Sequence, residues 1–220
     1  MTKQNIIDTI IDFLGSDAAG DAKGVYHPEI VKQHLSNVFN QVIYNTWISG
    51  KKSSDFSQLD AWSKTYEVAV VSQVGAKAHG FLPFAPVQLP NGMGIRQVAD
   101  NADTSTVFAP MESTADVVFA ELDVNTMDST STYKLEQNNL NTDEGESSHM
   151  LKFGKLPEAP STTIASVDVL MVQNIEQTGD YDIIVMPQGS EDSLVKQVID
   201  LMSKKQESDT SNDGVFNPQN

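Results

Sequence analysis

The sequence predicts an α+β protein: an antiparallel β-sandwich or barrel-like domain with an N-terminal helix pair and a C-terminal helix. Three observations carry that prediction. Apolar residues recur with helical period near both ends of the chain. Between them, short runs rich in β-branched and aromatic residues follow one another at close spacing. No helical segment alternates with those runs, which excludes the βαβ units of a parallel sheet.

Ile6, Ile10 and Leu14 fall at i, i+4 and i+8, with Ile7 and Ile11 beside them, so residues 2–15 form one apolar helical face that Gly15 ends. A helix this short is marginal alone in water, so its face must dock. Gly15–Gly24 reads as a small-residue loop. His27-Pro28-Glu29 then opens a second helix, with proline at the first helical position and an acid just after it. Val31, Leu35, Val38, Phe39, Val42 and Ile43 hold the helical spacing to about Tyr44. Trp47–Ser63 reads as a loop pinned by Trp47, Phe56, Leu59 and Trp62.

Strand character starts at Thr65. The expected strands are Tyr66–Ser72, Ala76–Leu82, Thr106–Ala109, Ala115–Leu122, Thr132–Leu135 and Met150–Phe153. A last pair, Thr163–Val172 and Tyr181–Val185, is joined by a turn at Gly179-Asp180. Two stretches interrupt the pattern. Phe81–Val98 (FLPFAPVQLPNGMGIRQV) has three prolines, which forbid a helix, and too many apolar anchors for a free linker. It reads as an extended arm with a turn at Asn91-Gly92. Residues 125–148 are polar and read as a surface excursion. Ser190 is placed to cap a final helix, with Glu191 and Asp192 in its first turn. Leu194, Val195, Val198, Ile199, Leu201 and Met202 give it an apolar face as far as Lys204-Lys205. The expected organisation is a helical region over 1–63, a β domain over 64–189, a helix over 190–205, and a flexible or partner-docking tail over 206–220.

The formal net charge is −16, from 30 acids against 14 bases. Residues 66–190 hold 17 of the acids and 5 of the bases. Binding a phosphate backbone needs clustered Lys and Arg, and Arg96 is the single arginine, so specific reading of DNA is excluded. Cysteine is absent, which removes disulfides, thiolate metal sites and a cysteine nucleophile. No apolar run reaches the ~18–20 residues that span a bilayer. The N-terminus, with Asp8 and Asp12 inside its apolar segment, reads as a structural helix and not as an export signal.

Catalytic patterns are missing. His27, His34, His79 and His149 are scattered, with no local ligand pair. Gly189-Ser190-Glu191 lacks the second glycine of a nucleophile elbow. Gly92-Met93-Gly94 is followed by strand-like residues, so it presents no helix amides to a phosphate. Asn139, Asn141 and Asp143 begin like a calcium loop, but Glu144 and Met150 stand where glycine and a bidentate acid belong. Asp180 and Asp182 flank a turn as solvated acids. The expectation is a protein without enzymatic activity, cofactor or metal.

Leu82-Pro83-Phe84-Ala85-Pro86-Val87-Gln88-Leu89-Pro90-Asn91-Gly92-Met93-Gly94-Ile95-Arg96, followed by Phe108-Ala109-Pro110-Met111, is similar to a stretch of virion proteins of crAss-like phages, the short-tailed phages of Bacteroidota hosts. Ile183–Met202 and the Asn212-Asp213 tail also resemble that family, so the likeness spans roughly residues 60–215. The resemblance implies a ring protein of the head-to-tail connector, present in many copies below the portal protein. Double-stranded DNA would pass through without sequence-specific binding, and the site of action would be the virion, assembled in the host cytoplasm. The subunit-interface candidates are Phe81, Phe84, Leu89 and Ile95 in the arm, and Val215 and Phe216 in the tail. Two other readings stay open: a head decoration or minor capsid protein, and a carbohydrate- or partner-binding β-sandwich using Trp47 and Trp62 as a platform.

Overall fold

A computed structural model describes residues 1–17, 27–71, 78–111, 132–137, 149–155 and 166–210. The chain divides into a helical unit, Met1–Trp62 with Ile175–Asn220, and a sheet unit, Ser63–Asn174. The mixed helix-and-sheet class expected from the sequence is present.

In the helical unit, α1 spans Lys3–Asp17, α2 Pro28–Ser53, α3 Ser57–Asp60 and α4 Ser190–Thr210. Helices α1, α2 and α4 pack pairwise on one another. The faces they bury are the periodic ones: Ile6, Ile7, Ile10 and Leu14 from α1, Val31, Leu35, Phe39 and Ile43 from α2, Leu194, Val198 and Met202 from α4. Each such side chain contributes roughly 1.5–3 kcal/mol relative to exposure. His27 caps α2 as its Nδ1 accepts from the Glu29 amide at 3.3 Å, and Pro28 opens the helix.

Five expectations are corrected here. Helix α2 runs on to Ser53 instead of ending near Tyr44, closed by Ser54 in the left-handed region (φ 57°) and with Lys51 and Lys52 suiting its C-terminal dipole. Gly50, within the stretch that reads as a loop, sits inside α2. A Cβ there would lie 2.7 Å from the Phe56 ring, so glycine lets the returning chain press onto the helix. Helix α1 passes Gly15 to reach Asp17, and α4 passes Lys204-Lys205 to reach Thr210, taking up the start of the expected tail. Ser190 does not cap by accepting: its hydroxyl donates back to the Pro187 carbonyl at 2.7 Å. Tyr181–Val185 forms no strand. Tyr181 and Ile183 are exposed, and the segment meets the chain start through a Thr2–Ile183 bridge.

A buried lysine anchors that segment. Lys3 donates to the carbonyls of Ile175 (2.9 Å) and Thr178 (3.0 Å). Asp180 accepts from Lys32 at 2.8 Å, and Glu29 pairs with Lys32 at 3.2 Å. The two lysines titrate in opposite directions. Burial pushes Lys3 below the ordinary lysine value against the pull of Asp180, whereas hydrogen bonds to Asp180 and Glu29 raise Lys32.

In the sheet unit the strands are β1 Ser63–Ala69, β2 His79–Phe81, β3 Ile95–Asp100, β4 Ala109–Pro110, β5 Thr132–Gln137, β6 His149–Lys155 and β7 Ser166–Val172. One sheet has the order β1-β7-β3 and is antiparallel throughout. The other has the order β2-β6-β5-β4, antiparallel except for the two-residue contact of β4 with β5. Strand period places Val167, Val169 and Met171 of β7 inward, opposite Val68, Val98 and Ile95. Leu151 and Phe153 of β6 and Tyr133 of β5 join the same core. The two sheets touch at single bridges, Val71–His79 and Ala99–Val107, and the described strands do not close into a barrel. Strand β3 takes up the end of the expected arm and continues past it to Asp100. The expected strand Ala115–Leu122 lies outside the described residues, as do 125–131 and 138–148 of the expected excursion; its middle, Thr132–Gln137, is strand β5.

Candidate functional site

The stretch Phe81–Val98 is tied to its own sheet unit along its length. The Leu82 amide donates to the His149 carbonyl at 3.0 Å, Asn174 Nδ2 to the Ala85 carbonyl at 3.3 Å, and the Val172 amide to the Gly94 carbonyl at 2.9 Å. Phe84 meets Tyr66 edge to face at 5.0 Å. Pro90–Gly92 makes the expected turn, with Gly92 at φ 66°, where glycine alone is unstrained. The chain then doubles back so closely that a Cβ on Gly94 would collide with the Val87 carbonyl.

Beyond that turn lies a groove of about 680 Å³, opening where the edge of one sheet, β3, departs from the edge of the other, β4. One wall is Gly92 to Gln97; the other is Val107 to Met111; Tyr133 and Leu135 of β5 form the remainder. The floor is shared with the hydrophobic core through Ile95, Phe108 and Tyr133. Arg96 carries the single formal charge among the lining residues. The β3–β7 register shifts between Ile95 and Gln97, and the irregularity turns Arg96 aside from the ladder. Its Nη1 donates to Met93 Sδ at 3.6 Å. Burial pushes the Tyr133 hydroxyl up to about 12.

The interface candidates are distributed as follows. Ile95 lines the groove and is buried. Leu89 is buried in the sheet unit, Phe84 is half-buried against its core, and Phe81 is half-buried beside His79, ring to ring at 5.4 Å. Val215 and Phe216 lie outside the described residues. Trp47 and Trp62 form no exposed platform: they are 7% and 4% exposed, the first stacked on Tyr44 and the second edge-on to Phe39. Met93, Arg96, Tyr133 and Leu135 were not singled out as site residues. The signal for the first two lay in the arm itself, but nothing local marks β5 as its neighbour. Among the described residues no group of three acidic or histidine side chains is placed to hold a metal, and no helix is long and apolar enough to cross a membrane. No family model matches the sequence, and no curated protein matches it either.

Proposed function

We propose that this chain is a structural, non-enzymatic virion protein of a short-tailed phage. It forms a homo-oligomeric ring in the head-to-tail connector, next to the portal, around the channel that passes double-stranded DNA. The observation that carries the reading is a convergence. The two segments whose residues resemble the connector family, Leu82–Arg96 and Phe108–Met111, are separated by eleven residues and supply the facing walls of one groove, the first through Gly92, Met93, Ile95 and Arg96. A groove with an apolar floor, one cation and strand edges on either side is suited to receive an extended segment of a neighbour. Repeated head to tail with rotation, such a contact closes a ring. The net charge of −16 fits a channel wall that repels the duplex and lets it slide.

Electron microscopy of the purified chain, alone and with portal assemblies, tests the proposal. Rings of fixed symmetry, or a layer added to the portal, are the expected result. A monomer that adds to no portal assembly, or a chain that retards duplex DNA at physiological salt, would defeat it. Because both tryptophans are buried, a glycan-binding platform built on them has no structural support.

A further inference from the structure

Glu176–Ile183 runs between two buried anchors, Ile175 and Ile184, and buries no apolar side chain of its own. Thr178 is buried, while Tyr181 and Ile183 are 84% and 62% exposed. Apolar burial, which holds the three long helices together, therefore adds little to holding this segment in place. Its described ties are polar. The Gln4 amide donates to the Asp180 carbonyl at 2.7 Å and the Lys3 amide to the Asp182 carbonyl at 3.2 Å; the Ile184 amide donates back to the Met1 carbonyl at 3.0 Å. From α2, Lys32 donates to the Asp180 carboxylate at 2.8 Å and Asn40 Nδ2 to the Glu176 carboxylate at 3.2 Å.

The deepest tie is Lys3. Its side chain is buried, its Nζ donates to the Ile175 and Thr178 carbonyls, and the Asp180 carboxylate lies 4.0 Å away. Of the charged groups facing it, Asp180 and Glu176 belong to the segment, and Lys32 and Glu29 to α2. An ammonium taken from water carries a desolvation cost, so returning it to water offsets part of the loss when its carbonyl bonds break. The segment also carries bonds of its own. The Asp182 amide donates to the Gly179 carbonyl at 3.1 Å, and the Asp182 carboxylate accepts from the Gly179 amide at 3.0 Å. A segment with internal bonds, polar ties to its surroundings and a buried residue at each end moves as a body and not residue by residue.

We propose that Glu176–Ile183 is a strap that opens and closes as one unit on the helical unit, hinged at Ile175 and Ile184, with the Lys3 side chain as its latch. Closed, the strap pairs with the main chain of residues 2–4 and hides the Lys3 ammonium. Open, it presents that cation and a short strand edge to solvent, so the helical unit offers both in only one of its two states. The motion belongs to the single chain and needs no second copy.

Hydrogen exchange of the full chain, read amide by amide by NMR, tests the strap. The amides of Lys3, Gln4 and Ile184, whose bonds cross the seam, exchange together. Their protection is about tenfold or more below that of Ile10 in α1 and Phe39 in α2. Lys3→Met keeps an unbranched stem and removes the ammonium. It lowers protection at Gln4 and Ile184 by about tenfold further, while Phe39 shifts by less than about threefold. Asp180→Asn removes the tie to Lys32 and leaves the carbonyl bonds of Lys3, so its effect at the seam is smaller, about threefold. The strap is overturned if the three amides are as well protected as Phe39 or exchange at unrelated rates, a comparison made on the wild-type chain alone. The latch is overturned if Lys3→Met leaves the seam unchanged, if it lowers Phe39 as much as Ile184, or if Asp180→Asn has the larger effect.

Discussion

The two units carry the same net charge and are built on different principles. The helical unit holds 8 bases against 16 acids and the sheet unit 6 against 14, so each is at −8. In the helical unit, three apolar faces meet and a deeply buried cation, Lys3, has carbonyl partners on the segment 175–178. In the sheet unit, the described strands share a core that is continuous at its centre and parts at the β3–β4 edge. The contrast teaches where binding capacity arises. Helix faces that find each other fill their own interior and leave Phe13, Ile30, Tyr44 and Leu201 exposed outside it, whereas a sandwich that stops short of closing brings core side chains and strand edges to one opening.

The strongest way to break the comparison is to empty each core. Phe39→Ala removes a fully buried ring that sits edge-on to Trp62, and Phe153→Ala one that meets Phe108 at 5.4 Å. Each is expected to cost about 3–5 kcal/mol in urea unfolding. A loss under about 1.5 kcal/mol at Phe153 alone would mean that the sheet core collapses freely around its open edge.

A smaller effect sharpens the contrast from the alkaline side. Burial keeps Tyr133 neutral in the fold up to about pH 12, while the unfolded chain ionises at its ordinary value of 10.0. Stability is therefore intact below pH 10 and falls by about 2–3 kcal/mol between pH 10 and 12. Tyr133→Phe should remove that part of the alkaline loss, and an unchanged pH profile would show that water already reaches the hydroxyl through the groove.

The smallest effect belongs to the helical unit. Asp180 is held below the ordinary carboxylate value by its hydrogen bond from Lys32. Its contribution is present above the unfolded value of 3.8 and is lost as pH falls through the lower, folded value. Asp180→Asn should flatten the acid limb of the stability curve measured by denaturant unfolding from pH 6 to 2. The change is modest, because the carboxylate is more than a third exposed.

What the sequence makes legible follows from how local each feature is. The faces of α1, α2 and α4 are written in residues three and four apart, and Ile6–Ile10–Leu14 or Leu194–Val198–Met202 need no partner to be recognised. Pairing is different. Thr163–Val172 and Tyr181–Val185 look like a hairpin because both are rich in branched residues, yet β7 pairs with β1 and β3 while Ile183 stays exposed. Strand β3 was hidden because Arg96 sits at a register shift, which spoils the alternation of Ile95, Gln97 and Val98. The arm was recognisable as anchored by its many apolar residues, but not what anchors it. The candidate groove shows the same limit: Ile95 and Phe108 were each visible, and only the tertiary fold places them with Tyr133 and Leu135 around one opening.

The stitch between the chain start and the segment 180–184 has a consequence for the order in which the protein is made. Thr2 bridges Ile183, the Lys3 amide donates to the Asp182 carbonyl at 3.2 Å, and the Ile184 amide to the Met1 carbonyl at 3.0 Å. The sheet unit is continuous from Ser63 to Asn174, so all its strands have been synthesised before Asp182, Ile183 and Ile184 emerge to meet the chain start. Helices α1 and α2, translated before the sheet unit, must wait for α4, translated after it. During synthesis the apolar faces of the first 53 residues are thus held for a partner behind an entire intervening unit. Closing contacts over such sequence separation is slow, which makes the N-terminal helices the part of the newborn chain most in need of shielding.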